Sequence, residues 1–372
     1  MRRTLSRIRQ RLGCVRRPDR RRRRFLVPFA ILLLTAATPA VAAEFALAPG
    51  QNVVGQLGHY VVKKGEVLAD IARRFDVGYT ELVAANPGVD PWIPRPGTEI
   101  IIPSLYILPA VPHDGIVVNL GQYRLFYFPR GGQRVLTYPL GLGVIGWQTP
   151  LGTTRIVMKE PHPVWYPPDS MRRVEPDLPK VVPAGPDNPL GNYALHLGWP
   201  RVLIHGTDKP DGIGRNVSHG CIHLYPEDIE QLFSLVSVGT PVRAIDEPAA
   251  AAWIGNALYV VVHPSAKQVQ QIDLEQAAGL DPEHGVTALV QEVAGSYEGA
   301  IDWPAVARAA SERTGMPIRI ADRSAYVAPA PLTAAPAPTA PPPTHDLAGE
   351  IPASGGAAPG PYGAPAPRRT DP

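Results

Sequence analysis

The chain has 372 residues, with 36 Lys and Arg against 33 Asp and Glu, and a formal net charge of +3. Twelve of those basic residues precede Phe25, together with the single acid Asp19, so the rest of the chain holds 24 basic and 32 acidic residues. The body of the protein is therefore acidic, by about eight charges, and lacks the basic balance that nucleic-acid binding requires. No nucleic-acid partner is expected.

The N-terminal segment is typical of a cleaved export signal. An arginine-rich head is followed by the apolar run FLVPFAILLLTAA and by the small residues of TPAVAA. The apolar run is shorter than the ~20 residues that a membrane-spanning helix needs. We assign residues 1–43 to a signal peptide with cleavage near Ala43, and an uncleaved signal anchor is the alternative. Because RRRRFL also resembles a twin-arginine address, the export route stays open.

The C-terminal segment, residues 327–372, is dominated by Pro, Ala, Gly and Thr, with thirteen prolines in 46 residues. Such a composition offers too little apolar surface to offset the loss of chain entropy on folding, so we predict a disordered tail. Roughly 280 residues remain between signal and tail, which is enough for two or three folded units.

In the first unit, residues 59–104, the sequence pattern predicts a strand, two short helices and a second strand. HYVV alternates as a strand does, and LADIARRF places Leu68, Ile71 and Phe75 on one helical face. YTELVAAN predicts the second helix, with Thr80 as its N-cap, and GTEIIIP predicts the closing strand. This βααβ segment resembles the LysM module, a family that binds glycans containing N-acetylglucosamine, such as peptidoglycan. Simple packing against a neighbouring unit is the alternative role.

The second unit, residues 113–246, reads as mainly β. Alternating apolar patterns in GIVVNLGQYRLFYF and GQRVLTYPLGLG are separated by glycine-rich turns, and VLIHGTD predicts a buried strand that ends at His205. PEDIEQLF predicts one helix. A third unit, residues 252–321, combines the strand ALYVVVHP with two helical patterns and a last strand, and reads as a small α/β region.

The chemistry of the chain is concentrated at Cys221, in the stretch RNVSHGCIHL. Since Cys14 leaves with the signal, Cys221 has no disulfide partner in the exported chain and is flagged as reactive. A thiolate nucleophile needs a nearby base, and the candidates are His205, His219 and His223. His205 stands at a strand end, sixteen residues upstream, and the intervening loop can bring the chain back beside it. Amides around Gly220 and Cys221 would then stabilise an oxyanion.

Two other readings of the same residues are open from their chemistry. If HGCIH is extended, His219, Cys221 and His223 lie on one face and could complete a Cys-His₃ zinc site with His205. A buried free cysteine can also be inert.

The motifs HGTD and SHGCIHL together resemble the signature of the L,D-transpeptidases, the family with a YkuD-like catalytic domain. The segments GWQTPLGTTRI, PHPVWYPP and GPDNPLGNYALHL resemble upstream parts of the same domain, and the third unit resembles the C-terminal region of Gram-negative periplasmic members. The resemblance implies a β-sandwich-like fold for this mainly β domain. It also implies that Cys221 is the nucleophile, His205 the general base and His219 an orienting residue. It also implies substrate-binding positions, namely Gly206, Thr207, Ser218, Gly220 and His223. Trp165 and Tyr166 either line the substrate cleft or pack beside their prolines.

One departure from the family pattern is His223, where these enzymes commonly carry Arg or Asn. Histidine cannot form the bidentate contact that arginine offers to a carboxylate, so we expect altered substrate affinity.

The family reaction cuts the bond between the third residue and D-alanine of a peptidoglycan tetrapeptide stem and passes the acyl group to an amine, with no metal or cofactor. The acceptor stays open: a second stem gives a 3→3 cross-link, a lysine of an outer-membrane lipoprotein anchors that membrane, and water makes the protein a carboxypeptidase or hydrolase. A catalytically inactive wall-binding protein and a zinc enzyme are the alternatives from other classes. The export signal and the glycan-binding module lead us to expect an exported, periplasmic, cell-wall-associated protein.

Overall fold

The computed structural model describes residues 43–274, 279 and 281–325 of the chain. The predicted signal peptide, apart from its last residue, and the predicted tail 327–372 lie outside the described residues. The described part is mainly β, with short helices at its periphery.

The strands are short, as the many turn residues in the sequence predict. In chain order they are β1 Ala43–Ala46, β2 Val53–Gly55, β3 Gly58–Val61, β4 Glu99–Ile102, β5 Leu105–Ile107, β6 Gly115–Asn119, β7 Arg124–Phe128, β8 Arg134–Pro139, β9 Leu142–Gly143, β10 Gly152–Pro161, β11 Tyr193–Leu197, β12 Leu203–His205, β13 Asn216–Ser218, β14 Ile222–His223, β15 Pro241–Ile245, β16 Ala249–Ile254, β17 Ala257–Val262 and β18 Ile318–Asp322. The α-helices are α1 Leu68–Arg74, α2 Tyr79–Ala85, α3 Asp169–Val174, α4 Pro226–Leu235, α5 Ala266–Asp273, α6 Val286–Ala294 and α7 Trp303–Glu312.

A curled nine-stranded sheet organises the described residues, in the order β1-β8-β7-β6-β15-β10-β11-β12-β14. Most neighbours are antiparallel, but β6 pairs with β15, and β12 with β14, in parallel. Strands β6 and β7 are buried along their whole length, since both of their faces are covered. The apolar side chains of one face, with those of α4, form the largest core, which lies directly behind β12 and β14.

The predicted βααβ unit is present, with β3 and β4 paired antiparallel and both helices packed on them. The predicted cap at Thr80 is wrong. Helix α2 begins at Tyr79, two residues earlier than a cap at Thr80 implies, and Gly78 is its N-cap, whose amide donates to the Glu81 side chain at 3.1 Å. Thr80 instead donates its hydroxyl proton to the carbonyl of Gly214, in the loop that leads to β13.

The C-terminal unit is a three-stranded antiparallel sheet, β16-β17-β18, covered by α6 and α7. Its first strand begins at Ala249, ahead of residue 252, where the sequence pattern placed the start of the unit. Helix α5 was not predicted from the sequence. Its Ser265 cap accepts from the amide of Gln268, and the Gln268 side chain accepts from the amide of Ser265.

The βααβ unit is fastened to the large sheet by a buried ion pair. Arg124 on β7 donates to Glu81 on α2 at 2.9 Å, and both side chains are at least nine-tenths buried. A second pair joins Arg73 on α1 to Glu227 on α4 through two hydrogen bonds of 2.9 Å. The two units are therefore one packed body. Within the part of the chain that the structure describes, no helix has the length and apolarity to cross a membrane.

Candidate active site

The candidate site lies where β12 and β14 run side by side. These parallel strands pair Ile204 with Ile222 and His205 with His223. Directly opposed residues of a ladder point to the same face, and so do residues two positions apart along a strand. His205 and His223 therefore share one face, and Cys221 immediately precedes β14, two positions before His223. The loop between the two motifs returns the chain beside His205, as the sequence predicted.

A backbone carbonyl of the following residue, Gly206, holds His205 in one tautomer. Its Nδ1 lies 2.7 Å from the carbonyl oxygen of Gly206 and, since a carbonyl only accepts, Nδ1 carries the proton. Nε2 is then the unprotonated nitrogen of a neutral ring. The imidazole is almost fully buried, and burial lowers the pKa of His205 to about 4, although the bond to Gly206 raises it. A neutral His205 at pH 7 can accept a proton through Nε2.

His223 packs against His205, with 4.4 Å between the ring centroids. Burial, and then the neighbouring His205, hold the pKa of His223 well below its usual range. It is thus uncharged at neutral pH and supplies no permanent positive charge to the site.

Cys221 is half-buried, and its thiol donates to the carbonyl of Arg201 at 3.6 Å. Burial raises the pKa of this thiol, while the backbone of Leu203 opposes the shift. Cysteine and histidine are accordingly both neutral at rest. Both pKa shifts favour the neutral thiol and the neutral imidazole over a thiolate–imidazolium pair.

A tight turn presents Cys221. Gly220 has φ +100°, a conformation that side chains with a Cβ rarely adopt. The buried Ser218 closes the turn, because its hydroxyl donates to the Cys221 carbonyl at 2.6 Å and accepts from the Gly220 amide at 3.2 Å. Ser218 therefore fixes the backbone on both sides of the glycine.

Thr149 is a positioning residue that the sequence analysis missed. Its buried hydroxyl donates to the Gly220 carbonyl at 3.1 Å, across 71 residues of sequence. The segment GWQTPLGTTRI was noted for its resemblance, but nothing local marked the threonine as a partner of the cysteine turn. The same segment also lies close to the backbone of Gly143. A Cβ added at Gly143 would lie 1.9 Å from the Trp147 carbonyl oxygen.

His219 does not join the other two histidines. The turn at Gly220 separates His219 from Cys221 and β14, so the stretch is not one extended strand, and the His219 side chain is exposed. Its ring meets Trp147 edge-on at 5.2 Å between centroids. His219, Cys221 and His223 therefore do not form the single face that the hypothesis of a Cys-His₃ zinc site required. No group of three or more His, Cys, Asp or Glu suited to a metal ion occurs among the residues that the structure describes.

The remaining predicted positions flank the site or lie outside its hydrogen-bond network. Gly206 follows His205 and packs against Ile229, and Thr207 is buried, with its hydroxyl accepting from the Lys209 amide at 2.9 Å. Trp165 pairs its backbone with Val182 at 2.9 Å in both directions. Tyr166 is 67% exposed, so it does not pack in the core and is free to meet a ligand.

Comparison with known proteins identifies this arrangement. The model of the L,D-transpeptidase catalytic domain, YkuD, matches residues 113–243, and the LysM domain model matches residues 60–103. The probable L,D-transpeptidase YbiS of Escherichia coli (strain K12) is 37% identical over 305 residues, which cover 80% of this chain and 97% of that protein. The chain belongs to the L,D-transpeptidase family.

Other relatives in the family give the same picture. The probable L,D-transpeptidase YcfS of the same organism is 42% identical over 238 residues, covering 61% of this chain and 74% of that protein. The probable L,D-transpeptidase ErfK/SrfK of Escherichia coli (strain K12) is 34% identical over 316 residues, covering 82% of this chain and 98% of that protein. Both resemblances drawn from the sequence, to the L,D-transpeptidases and to the LysM module, are confirmed.

Proposed function

We propose that this L,D-transpeptidase acts on the tetrapeptide stems of peptidoglycan through a thioester on Cys221. The observation that carries the proposal is the placement of Cys221 directly before β14, the strand that pairs in parallel with β12 and its neutral His205. Membership of the family supplies the reaction class.

The first half-reaction uses His205 as general base. Rotation about the Cα–Cβ bond of Cys221 releases the thiol from the Arg201 carbonyl, and Nε2 of His205 takes its proton as sulfur attacks the carbonyl carbon of the third stem residue. The C–N bond to D-alanine breaks, and the imidazolium returns the proton to the leaving amine. Free D-alanine and a thioester are the products.

The second half-reaction is the reverse in form. An amine attacks the thioester, His205 takes its proton, and the thiol of Cys221 is regenerated with a new amide bond. One amide replaces another, so the exchange consumes no external energy source. The acceptor amine is supplied by a second stem, or by a lysine of an outer-membrane lipoprotein.

The tetrahedral intermediate needs donors for its oxyanion. The Gly220 amide donates to Ser218 at 3.2 Å, so it is already engaged and its geometry is fixed. We therefore assign the oxyanion to the Cys221 amide, which the turn at Gly220 orients.

The βααβ unit supports a wall-bound enzyme. As a LysM domain, it is proposed to hold the glycan strand while the catalytic domain acts on the stem attached to it. The proposed export signal, residues 1–43, places the mature protein in the periplasm beside this substrate.

Incubation of the exported chain with a disaccharide-tetrapeptide tests the proposal. We expect equimolar release of D-alanine and, by mass spectrometry, a 3→3 dimer or, when a lipoprotein is added, its adduct. Cys221→Ala is the matched control and should release none. A product lighter by D-alanine alone would make the protein a carboxypeptidase, while release by the Cys221→Ala variant, or loss of activity to a chelator, would overturn the thiol mechanism.

A further inference from the structure

A buried acidic cluster lies behind the site, between the βααβ unit and the large sheet, and the mechanism does not use it. Asp76 follows α1 in a left-handed conformation with φ +53°, and only 6% of it is exposed. Asp228, on α4, is 2% exposed. Asp76 Oδ1 and Asp228 Oδ2 receive no hydrogen bond from any amine, amide or hydroxyl group of the described residues.

The two carboxyl groups are close enough to affect each other's protonation. Burial raises the pKa of both, that of Asp76 to about 6 and that of Asp228 well above its usual range, and the neighbouring Asp76 raises the pKa of Asp228 further, so that Asp228 is the protonated member of the pair. The Arg124–Glu81 ion pair beside them is internally neutral. With Asp228 protonated, the ionised Asp76 leaves one negative charge without a cation. Burying an unpaired charge is costly, so a cation should complete the cluster.

The first residue of β1, Ala43, contacts the side chain of Asp76. The backbone nitrogen of Ala43 lies 3.0 Å from Asp76 Oδ2 and lowers the pKa of that carboxyl. Ala43 pairs with Thr137 at the edge of the nine-stranded sheet, which fixes its position. The residues Ala40-Val41-Ala42 directly before it provide the small side chains that a leader peptidase requires at its cleavage site.

We propose that the leader is cut between Ala42 and Ala43 and that the new α-ammonium group of Ala43 seats on Asp76, as the cation that completes the buried cluster. Hydrolysis of the Ala42–Ala43 amide consumes one water: Ala42 leaves with the carboxylate, and Ala43 keeps the nitrogen, which binds a proton. This cut is one residue earlier than a leader ending at residue 43, which would place the new amine on Glu44 and not on the nitrogen that faces Asp76.

The ammonium group then stabilises the mature fold through its ion pair with Asp76. It ties the edge strand β1 to α1, and through Asp228 to α4, which packs behind the site. A chain that retains its leader has only a neutral amide at this position, so the mature fold is more stable than the precursor fold. The charged or titratable groups facing Asp76 are Glu81 on α2, Tyr106 on β5, Arg124 on β7, Tyr138 on β8, and Tyr225 and Asp228 at the start of α4.

The experiment compares chains that differ by one residue at the N-terminus. One begins at Ala43, a second at Ala42 and a third at Glu44, each released from a fusion partner by a protease that leaves no extra residue. We expect the chain from Ala43 to melt about 5 °C or more above the other two at pH 7. Its terminal amine should be acylated at least about tenfold more slowly than that of the chain from Ala42, because ion pairing keeps it protonated.

The pH dependence gives a second readout with a defined sign. A carboxyl whose pKa is raised in the folded protein favours folding at low pH, and that contribution is lost as the pH rises through about 6. The chain from Ala42, without a counter-charge, should therefore fall further below the chain from Ala43 between pH 4 and pH 7. Asp76→Asn should abolish the difference between the two chains, whereas Asp70→Asn, on the exposed face of α1, should preserve it.

Two results would overturn the proposal. One is equal melting and equal acylation of the chains from Ala42 and Ala43. The other is an intact mass of the exported protein that corresponds to a first residue other than Ala43. Neither measurement depends on transpeptidase activity, so the outcome is independent of the proposed function.

Discussion

At the scale of the residue, the resting charge of the Cys221–His205 pair sets the pH behaviour of the site. Burial raises the pKa of the thiol and lowers that of the imidazole to about 4, so both groups are neutral at pH 7. We expect alkylation of Cys221 by iodoacetamide to rise about tenfold per pH unit from pH 5 to pH 8 with no plateau, because only the thiolate reacts. Cys221 is the one cysteine of the chain from Ala43, so the label reports on it alone.

The variant His205→Gln distinguishes a neutral general base from a Cys221–His205 pair that is already ionised at rest. It should leave the alkylation profile close to that of the parent chain while slowing acylation by a stem peptide by about 10²–10⁴-fold. A thiolate plateau near neutral pH that disappears in His205→Gln would show instead that the pair is ionised at rest.

Thr149 is predicted to act on the reaction through the turn that it holds. Thr149→Val removes the donor to the Gly220 carbonyl, which should cost about 1–3 kcal/mol of folding free energy. The maximal acylation rate should fall roughly tenfold, because a misplaced turn that raises the activation free energy by about 1.4 kcal/mol slows the reaction by a factor of ten. Thr149→Ser, which keeps the hydroxyl, is the control, and it should recover most of the rate. Failure of Thr149→Ser to recover it would assign the effect to packing.

At the scale of the element, the sequence predicted what depends on neighbours in the chain. The alternating and helical patterns predicted β3, α1, α2 and β4, because each element buries one regular face. The position of Thr149 against Gly220 could not be predicted, because it arises from two loops that are far apart in sequence. Thr80 has the right chemistry for a cap, but Gly78 and Glu81 fill that role together, and the threonine hydroxyl reaches another loop.

The helix α2 is predicted to depend on its ion pair with β7. Glu81→Gln leaves Arg124 buried without its counter-charge, which should cost about 3–5 kcal/mol in denaturant unfolding. Arg134→Gln breaks the exposed pair with Glu44 and should cost at most about 1 kcal/mol. Equal costs for the two variants would contradict the account of the buried pair.

At the scale of the whole molecule, the LysM domain and the catalytic domain form one structure. Helix α2 approaches the loop before β13 so closely that the Tyr79 amide donates to the Ile213 carbonyl at 3.0 Å, and Thr80 to that of Gly214. This loop joins the HGTD motif to the cysteine motif. The LysM domain thus supports the segment that places Cys221.

Removal of the LysM domain should therefore affect catalysis even where no glycan is present. A chain from Ala43 in which a short Gly-Ser linker replaces residues 58–103, so that β1, β2 and β5 are kept, is expected to melt at a lower temperature than the parent chain and to lose activity on a free tetrapeptide. Glycan-binding loss alone would leave activity on this small substrate unchanged, so an unchanged rate would show that the two domains act independently.

The most direct test of the central claim is the intact mass of the chain from Ala43 after brief mixing with a tetrapeptide stem. The account predicts a covalent adduct equal to the stem minus D-alanine, mapped to the peptide that contains Cys221, absent from Cys221→Ala and formed slowly by His205→Gln. Release of D-alanine without any adduct on Cys221, undiminished in Cys221→Ala, would contradict it.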